Sequence, residues 1–304
     1  MRCARVGLLA VVAVAAACGP APTEGGRFAA SEVSPSPTPS PERSTTEYVG
    51  FHPESRLEGG TIVMPLVFVD GSSAEVVAPP ELGIQDMAAA IYTSGGLGGV
   101  DRTIDFQYGD GSVFMEQGPL ESYRGSGADV EMWIPDPSLP AGCPNLVYRF
   151  GDWFIGVRTC QSELGPDERK QWASSLDGHV TSDGFLVLSA MEPLQLQETG
   201  GHEGPEMILG YERANWIELS PGACDPARPP DEGDIRTMAD GTRVSFSRIG
   251  GADSKIEYNW YAEWCEDGLM RVQVSYAYKD FAEAAAESFR LRAIVLAQYP
   301  ARSR

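Results

Sequence analysis

The chain has 304 residues, a formal net charge of −20 and a hydrophobic content of 42%. This length and content suffice for a buried core in one large or two ordinary domains. Only three lysines occur and no basic patch is visible, so nucleic acid and anionic lipid surfaces are disfavoured as partners. The excess of acid indicates a solvated surface.

The first 17 residues have the pattern of a secretory signal peptide. Arg2 and Arg5 supply positive charge, and residues 6–17 then run without a polar side chain. This run is shorter than the roughly 20 apolar residues that a membrane-spanning helix needs. We therefore predict that residues 1–17 are a signal peptide, which implies an extracytoplasmic location.

Two cleavage patterns are possible around Cys18. Ala15 and Ala17 satisfy the A-x-A pattern, which would release a soluble secreted protein. The sequence AAAC at residues 15–18 also resembles the lipobox of bacterial lipoproteins, with Ala15 where that family usually has Leu. The resemblance implies that Cys18 is diacylglycerated and anchors the chain at the outer face of the cytoplasmic membrane.

The cysteine count favours lipidation over simple release. Six cysteines occur, and loss of Cys3 with the signal peptide leaves an odd number in an oxidising compartment. Acylation of Cys18 makes the lipid bilayer a partner and removes the odd thiol. The cysteines that then remain for two disulfides are Cys143, Cys160, Cys224 and Cys265.

Composition divides the rest of the chain into a tether and a body. Residues 18–57 are rich in Pro, Ser, Thr, Gly and Glu, which cannot bury enough apolar surface to fold. We predict a disordered tether there. The body is divided near Ala190 into a first half at 58–190 and a second half at 191–304.

The sequence CPNLVYRFGDWFIGVRTC at residues 143–160 predicts a β-hairpin with a two-residue Gly-Asp turn. This register pairs Phe150 with Trp153 and places alternate apolar residues on one face. It also sets Cys143 opposite Cys160 in a non-hydrogen-bonded pair, with Cα atoms about 4.5 to 5.5 Å apart. We therefore predict a disulfide between these two cysteines.

The sequence KIEYNWYAEWCEDGLMRVQVSYAY predicts a second cysteine-bearing hairpin. A three-residue loop at 266–268, with its glycine in the left-handed conformation, brings the apolar residues of both strands to one face. Trp264 then pairs with Met270. Cys265 lies at the loop end of this hairpin, and its simplest partner by elimination is Cys224.

An Asp-Gly hairpin precedes each cysteine-bearing hairpin, and a helix follows each of them. The Asp-Gly turns are predicted as two-residue turns at 110–111 and 240–241, and the second of them places Ile235, Thr237, Val244 and Phe246 on one face. The helices are predicted to begin at Pro166 and at Asp280, where Glu283 completes a capping-box pattern. The order hairpin, hairpin, helix thus occurs twice. It predicts an α+β fold, mainly of antiparallel β-hairpins with few helices, in two similar halves; a single continuous α+β domain is the alternative.

Few sequence features indicate catalytic or metal chemistry. His52, His179 and His202 have no metal-ligand spacing, and no segment matches C-x-x-C or the G-x-S-x-G elbow. The acidic sequence CDPARPPDEGD at residues 224–234 matches no known calcium loop, so we interpret it as a solvated loop. We predict no metal and no cofactor, and we assign no catalytic residue.

Aromatic residues crowd the two cysteine-bearing hairpins. They are Trp153, Trp260, Trp264, Tyr258, Tyr261, Tyr276 and Tyr278. Two interpretations stay open for them, because aromatic side chains either pack in the core of a sheet or line a groove for a sugar or peptide.

The sequence therefore favours a non-catalytic lipoprotein that binds an unknown envelope ligand or envelope protein. The alternative is an envelope hydrolase that uses carboxylates, for example on wall glycans, because two acids suffice for that chemistry. The sequence assigns no ligand-binding residue for either function.

Overall fold

The computed structural model describes the chain from residue 50 onward, with internal gaps. The described residues are 50–97, 100–109, 111, 119–124, 128–133, 145–158, 164–197, 205–210, 215–221, 234–249, 259–267 and 270–297. They belong to one compact unit, Glu47–Arg304. The predicted signal peptide, Cys18 and most of the predicted tether lie outside them.

Nineteen strands dominate the described residues. In chain order they are β1 (Arg56–Glu58), β2 (Thr61–Val67), β3 (Ser73–Ala78), β4 (Ala89–Leu97), β5 (Val100–Tyr108), β6 (Pro119–Arg124), β7 (Asp129–Trp133), β8 (Asn145–Phe150), β9 (Trp153–Arg158), β10 (Leu176–Val180), β11 (Leu186–Ala190), β12 (Leu194–Gln197), β13 (Glu206–Leu209), β14 (Trp216–Pro221), β15 (Asp234–Thr237), β16 (Arg243–Ile249), β17 (Asn259–Glu266), β18 (Met270–Ala277) and β19 (Arg290–Val295). The helical elements are α1 (Pro166–Ser175), α2 (Lys279–Ser288) and two 3₁₀-helices, Pro80–Leu82 and Ile84–Asp86.

These elements make the fold β-rich, so the predicted α+β class with two hairpin-hairpin-helix halves is wrong. The strands join into sheets that cross the expected boundary near Ala190. In the large sheet β4 pairs with β13, and in a four-stranded sheet β3 pairs with β19. The local patterns found hairpins and helices, but the fold class depends on these pairings between distant segments.

The large sheet has thirteen antiparallel strands. Its path is β15-β16-β17-β18-β14-β13-β4-β5-β9-β8-β7-β6, with β12 also paired to β4. We call β4, β5, β9, β8, β7 and β6 the first arm, and β13, β14, β18, β17, β16 and β15 the second arm. Both arms have the same strand order, and each is followed by one α-helix. What recurs is therefore a six-stranded order and not a hairpin-hairpin-helix module.

The hairpin of β8 and β9 has the predicted register. Phe150 pairs with Trp153, and every further pair keeps this register. The predicted apolar face is fully buried: Leu146, Tyr148, Phe150, Trp153, Ile155 and Val157. Cys143 and Cys160 lie outside the described residues.

The hairpin of β15 and β16 forms at Asp240 and Gly241, but its register is one residue away from the prediction. The loop has three residues instead of two, and Gly241 has a φ of 91°. Because side chains alternate along a strand, this shift turns predicted face residues outward. Ile235 is 41% exposed as a result, whereas Phe246 remains buried.

The register of the hairpin of β17 and β18 differs from the prediction by two residues. Trp264 pairs with Val272, and Glu266 pairs with Met270. Strand β17 thus continues through Glu266, and the loop starts at Asp267, which has a φ of 49°. A shift of two residues keeps each side chain on its face, so Trp264 is buried as expected.

The remaining predictions of local structure agree in part. Strand β5 contains the first strand of the hairpin predicted around residues 110–111 and pairs with β4 and β9, and the second strand of that hairpin lies outside the described residues. Helix α1 begins at Pro166 as predicted. Helix α2 begins at Lys279, one residue early, and Glu283 caps nothing because its carboxylate pairs with Arg236 at 2.9 Å.

The helices pack on the core face of the large sheet. Trp172 of α1 lies against Gly95 of β4, where an added Cβ would come within 2.6 Å of the ring. Phe289, directly after α2, packs edge-on against Trp264 of β17 with ring centroids 6.3 Å apart. Because side chains alternate between the faces of a sheet, the residues between the core positions point to the opposite face. That outer face carries the candidate site.

Candidate functional site

A cleft of about 350 Å³ opens over the outer face of the first arm. Its volume is at the lower end of the range of about 300 to 1,000 Å³ that small-molecule pockets have. The lining residues whose polar, charged or aromatic side chains share this face are Ser122, Asp129, Glu131, Arg149 and Phe154, whereas the side chain of Tyr123, which also borders the cleft, packs against the core. They come from the four strands β6 to β9.

Strand register explains why these residues meet. In one row across the sheet, Asp129 pairs with Arg149, and Arg149 pairs in turn with Phe154. In the next row, Ser122 pairs with Glu131. Direct cross-strand partners have Cβ atoms about 4.5 to 5.5 Å apart, so one guanidinium and two carboxylates gather around one ring.

Arg149 and Phe154 form the floor of the cleft. The Arg149 guanidinium lies 5.4 Å from the centroid of the Phe154 ring, in a cation–π arrangement. Its Nε donates to the carbonyl oxygen of Gly151 at 3.3 Å. The ring also packs against Gly111, where a Cβ would lie only 2.4 Å from Cδ1 of Phe154. Gly111 has a φ of 65°, so this close approach requires glycine.

The charges of the cleft do not neutralise one another. In the part of the chain that the structure describes, Arg149 has no carboxylate within ion-pair distance, although Asp129 lies directly opposite. Within the same residues, neither Asp129 nor Glu131 accepts a hydrogen bond. The terminal nitrogens of Arg149 and both carboxylates are therefore available to a ligand.

Contacts with α1 hold edge strand β6 in place. Arg169 of α1 donates from Nη1 to Oε2 of Glu121 at 3.1 Å, and the Tyr123 hydroxyl donates to the same oxygen. The hydrogen bond from Tyr123, followed by that from Arg169, lowers the pKa of Glu121. Burial raises the pKa of Tyr123. The edge of the cleft is thus fixed to the helix.

A second polar cluster lies on the outer face of the second arm. Glu218, Gln273 and Glu263 pair directly across β14, β18 and β17. The Tyr261 hydroxyl donates to Oε1 of Gln273 at 2.7 Å, and burial raises the pKa of Tyr261. Nε of Arg271 lies 2.8 Å from Oε1 of Glu263. Nε2 of Gln273 also donates to Oε2 of Glu218 at 3.4 Å, so these side chains contact one another across the three strands.

Glu206 of β13 borders this second cluster. Burial raises the pKa of Glu206, and the nearby charge of Arg271 opposes the shift. A carboxyl group with a raised pKa beside further carboxylates is the pattern that acid–base catalysis by paired acids uses.

Of the predicted disulfide cysteines, only Cys265 is among the described residues. It is disulfide-bonded, and its partner lies outside the described residues. The pairing with Cys224 therefore stays a prediction, as does the bond between Cys143 and Cys160. Cys18 also lies outside the described residues.

The aromatic residues of the cysteine hairpins are distributed between core and surface. Trp153 and Trp264 are 2% and 0% exposed, so they pack in the core and line no groove. Trp260 and Tyr261 are half-buried, and Tyr278 is exposed. The aromatic side chains that the structure leaves undescribed are Tyr258 and Tyr276.

The described histidines and acids form no metal centre. His52 and His179 are exposed, and His202 lies outside the described residues. Of the acidic sequence at 224–234 only Asp234 is described, and it pairs with Arg236 at 2.9 Å. No group of three or more His, Cys, Asp or Glu side chains within the described ranges is placed to hold a metal ion.

The charged residues of the cleft were not predicted from the sequence. The position of Arg149 could have been predicted, because the register that pairs Phe150 with Trp153 also sets Arg149 opposite Phe154. The position of Asp129 could not have been predicted, because no local pattern indicates that β7 pairs with β8.

No protein-family model, curated protein or solved structure matches this chain. Among the residues that the structure describes, no helix is long and apolar enough to span a membrane.

Proposed function

We propose that the chain is a lipid-anchored extracytoplasmic lipoprotein whose body binds a small polar ligand without transforming it. The anchor is Cys18, as the lipobox-like sequence and the odd cysteine count indicate. The observation that supports binding is the cleft of the first arm, where Arg149 lies beside Asp129 and Glu131 over the Phe154 ring. An apolar surface with a few convergent polar groups is typical of small-molecule sites.

Cys18→Ala tests the anchor. We expect this variant to move from the membrane fraction to the soluble fraction, or to accumulate unprocessed, because it lacks the thiol that is acylated. Cys3→Ala is the matched control, since Cys3 is lost with the predicted signal peptide and its removal should change nothing. Normal cleavage and unchanged membrane retention of Cys18→Ala would contradict the proposal.

Arg149→Gln tests the cleft. The full-length protein is titrated in a calorimeter with wall-derived glycan fragments, peptides and esters, and product formation is followed in parallel. We expect saturable binding without product, weakened about tenfold or more in the variant, because a hydrogen bond to a charged group is lost. Arg243→Gln makes the same charge change at an exposed side chain of β16, and this variant should bind like the wild type. Equal binding by both variants would exclude the cleft.

The second candidate function is an envelope hydrolase that uses carboxylates. The cluster of Glu206, Glu218 and Glu263 favours it, because burial raises the pKa of Glu206 and so suits it to donate a proton. Turnover of a wall-derived compound that Glu206→Gln abolishes, and that Arg149→Gln leaves intact, would establish this function in place of the first. Absence of product with the wild-type protein would exclude it for the compounds tested.

A further inference from the structure

The charged side chains around the cleft are arranged in a fixed order. Asp129 lies between Arg149 on β8 and Arg124 on β6, and pairs in register with both. Glu131 lies two residues further along β7, on the same face. Of these groups, the Arg149 guanidinium and the two carboxylates line the cleft, whereas Arg124 lies outside its lining.

The geometry explains why Arg149 does not neutralise Asp129. The stack on Phe154 and the hydrogen bond from Nε to Gly151 hold the guanidinium over the ring. The N–H groups of its terminal nitrogens can therefore donate to another acceptor. A guanidinium group binds a carboxylate through two parallel hydrogen bonds. The Arg149 guanidinium and the Asp129 carboxylate thus lie on neighbouring strands without forming an ion pair.

We infer that the cleft takes a zwitterionic amino acid or short peptide, with its carboxylate on Arg149 and its ammonium group between Asp129 and Glu131. This inference rests on the proposed binding function. An anion alone would pair with Arg149 but would leave the carboxylates of Asp129 and Glu131 without a counter-charge. A cation alone would leave the Arg149 guanidinium without one. Only a ligand with both charges satisfies all the groups that it would remove from water. The volume of about 350 Å³ suits such a small ligand.

The test uses one dipeptide in three forms and the full-length protein. L-alanyl-L-alanine carries both charges, its N-acetyl form lacks the ammonium group, and its C-terminal amide lacks the carboxylate. In calorimetric titrations we expect the free dipeptide to bind, and each blocked form to bind about tenfold more weakly or less, because each loses a charge-assisted interaction.

Variants assign each end of the ligand to its partner. In Arg149→Gln the free dipeptide and its amide should bind with equal affinity, because the partner of the carboxylate is gone. In the double variant Asp129→Asn, Glu131→Gln the free dipeptide and its N-acetyl form should bind equally. Arg243→Gln should keep the wild-type order of affinities.

The possible failures are distinguishable. Equal binding of the free and blocked dipeptides to the wild-type protein would overturn the inference, and this comparison needs no variant to fold. Binding of a glycan fragment or an ester that Arg149→Gln abolishes, without binding of the dipeptide, would overturn the inference and retain the proposed function. Binding of none of these compounds would overturn both.

Discussion

Gly95 permits α1 to pack against the large sheet. An added Cβ would lie 2.6 Å from Cη2 of Trp172 and 3.3 Å from Cδ1 of Ile104. Trp172 is 0% exposed and Ile104 is 1% exposed, so neither side chain has solvent to move into. We therefore expect Gly95→Ala to destabilise the fold.

The size of the effect follows from two opposing terms. Alanine is favoured over glycine in a strand interior by about 0.5 to 1 kcal/mol. Overpacking a core costs about 1 to 3 kcal/mol. Favourable carbon–carbon contacts are about 3.5 to 4.0 Å long, so the contact with Trp172 is about 1 Å too short and the steric term dominates. The difference between these terms is a net loss of up to about 2.5 kcal/mol, which should lower the Tm by up to about 10 °C.

A double-mutant cycle separates the two terms. Trp172→Leu removes the ring, so in that background Gly95→Ala should be neutral or stabilise by about 0.5 to 1 kcal/mol. Urea unfolding of the four proteins gives the free energies of unfolding, and we expect a coupling energy of about 1 kcal/mol or more. An equal cost of Gly95→Ala in both backgrounds would refute the contact as the cause.

Two further predictions concern the four-stranded sheet and the disulfides. Glu75 accepts hydrogen bonds from Arg56 at 2.8 Å and Arg292 at 2.6 Å, and these bonds lower its pKa. Because its folded pKa lies below the unfolded value of about 4.3, Glu75 stabilises the fold above that pH, and this contribution disappears as the pH falls through the folded pKa. Glu75→Gln should therefore be less stable than the wild type in urea at pH 7, and the difference should vanish at low pH. Peptide mapping without reduction should link Cys265 to Cys224, and a link from Cys265 to another cysteine would contradict the elimination argument.

The sequence predicted local pairing well only where independent signals agreed. For β8 and β9, the alternation of apolar residues, the short turn and the cysteine spacing all indicated one register. For β15 and β16, only the Asp-Gly pair set the turn. The extra loop residue shifted the register by one position and brought Ile235 to the surface. Loop length is thus the weak step, because one residue decides which face is buried.

The fold class was not predictable from these local patterns. The C-terminal segment shows why: soon after α2 the chain forms β19, in which Leu291 pairs with Val76 of β3. These two residues are far apart in sequence, and neither segment indicates its partner. The join of β4 to β13 is equally non-local, since Ile91 pairs with Met207.

The residues of the candidate site were predictable only where the pairing of their strands was predictable. The register of β8 and β9 sufficed to place Arg149 opposite Phe154, because both residues belong to one hairpin. Asp129 and Glu131 required the pairing of β7 with β8, and residues 134–144 between those strands gave no turn signal that fixed it.

The two arms show why ligand binding is assigned to the first arm rather than the second. Both have the same strand order, and both carry charged side chains on the outer face. In the second arm Arg271 and Glu263 form an ion pair at 2.8 Å, so the protein itself satisfies much of the charge. In the first arm Arg149 is held on Phe154, and among the described residues it forms no ion pair with Asp129 opposite it. Since separated charges beside an apolar ring gain most from a ligand that pairs with both, we assign the proposed binding to the first arm.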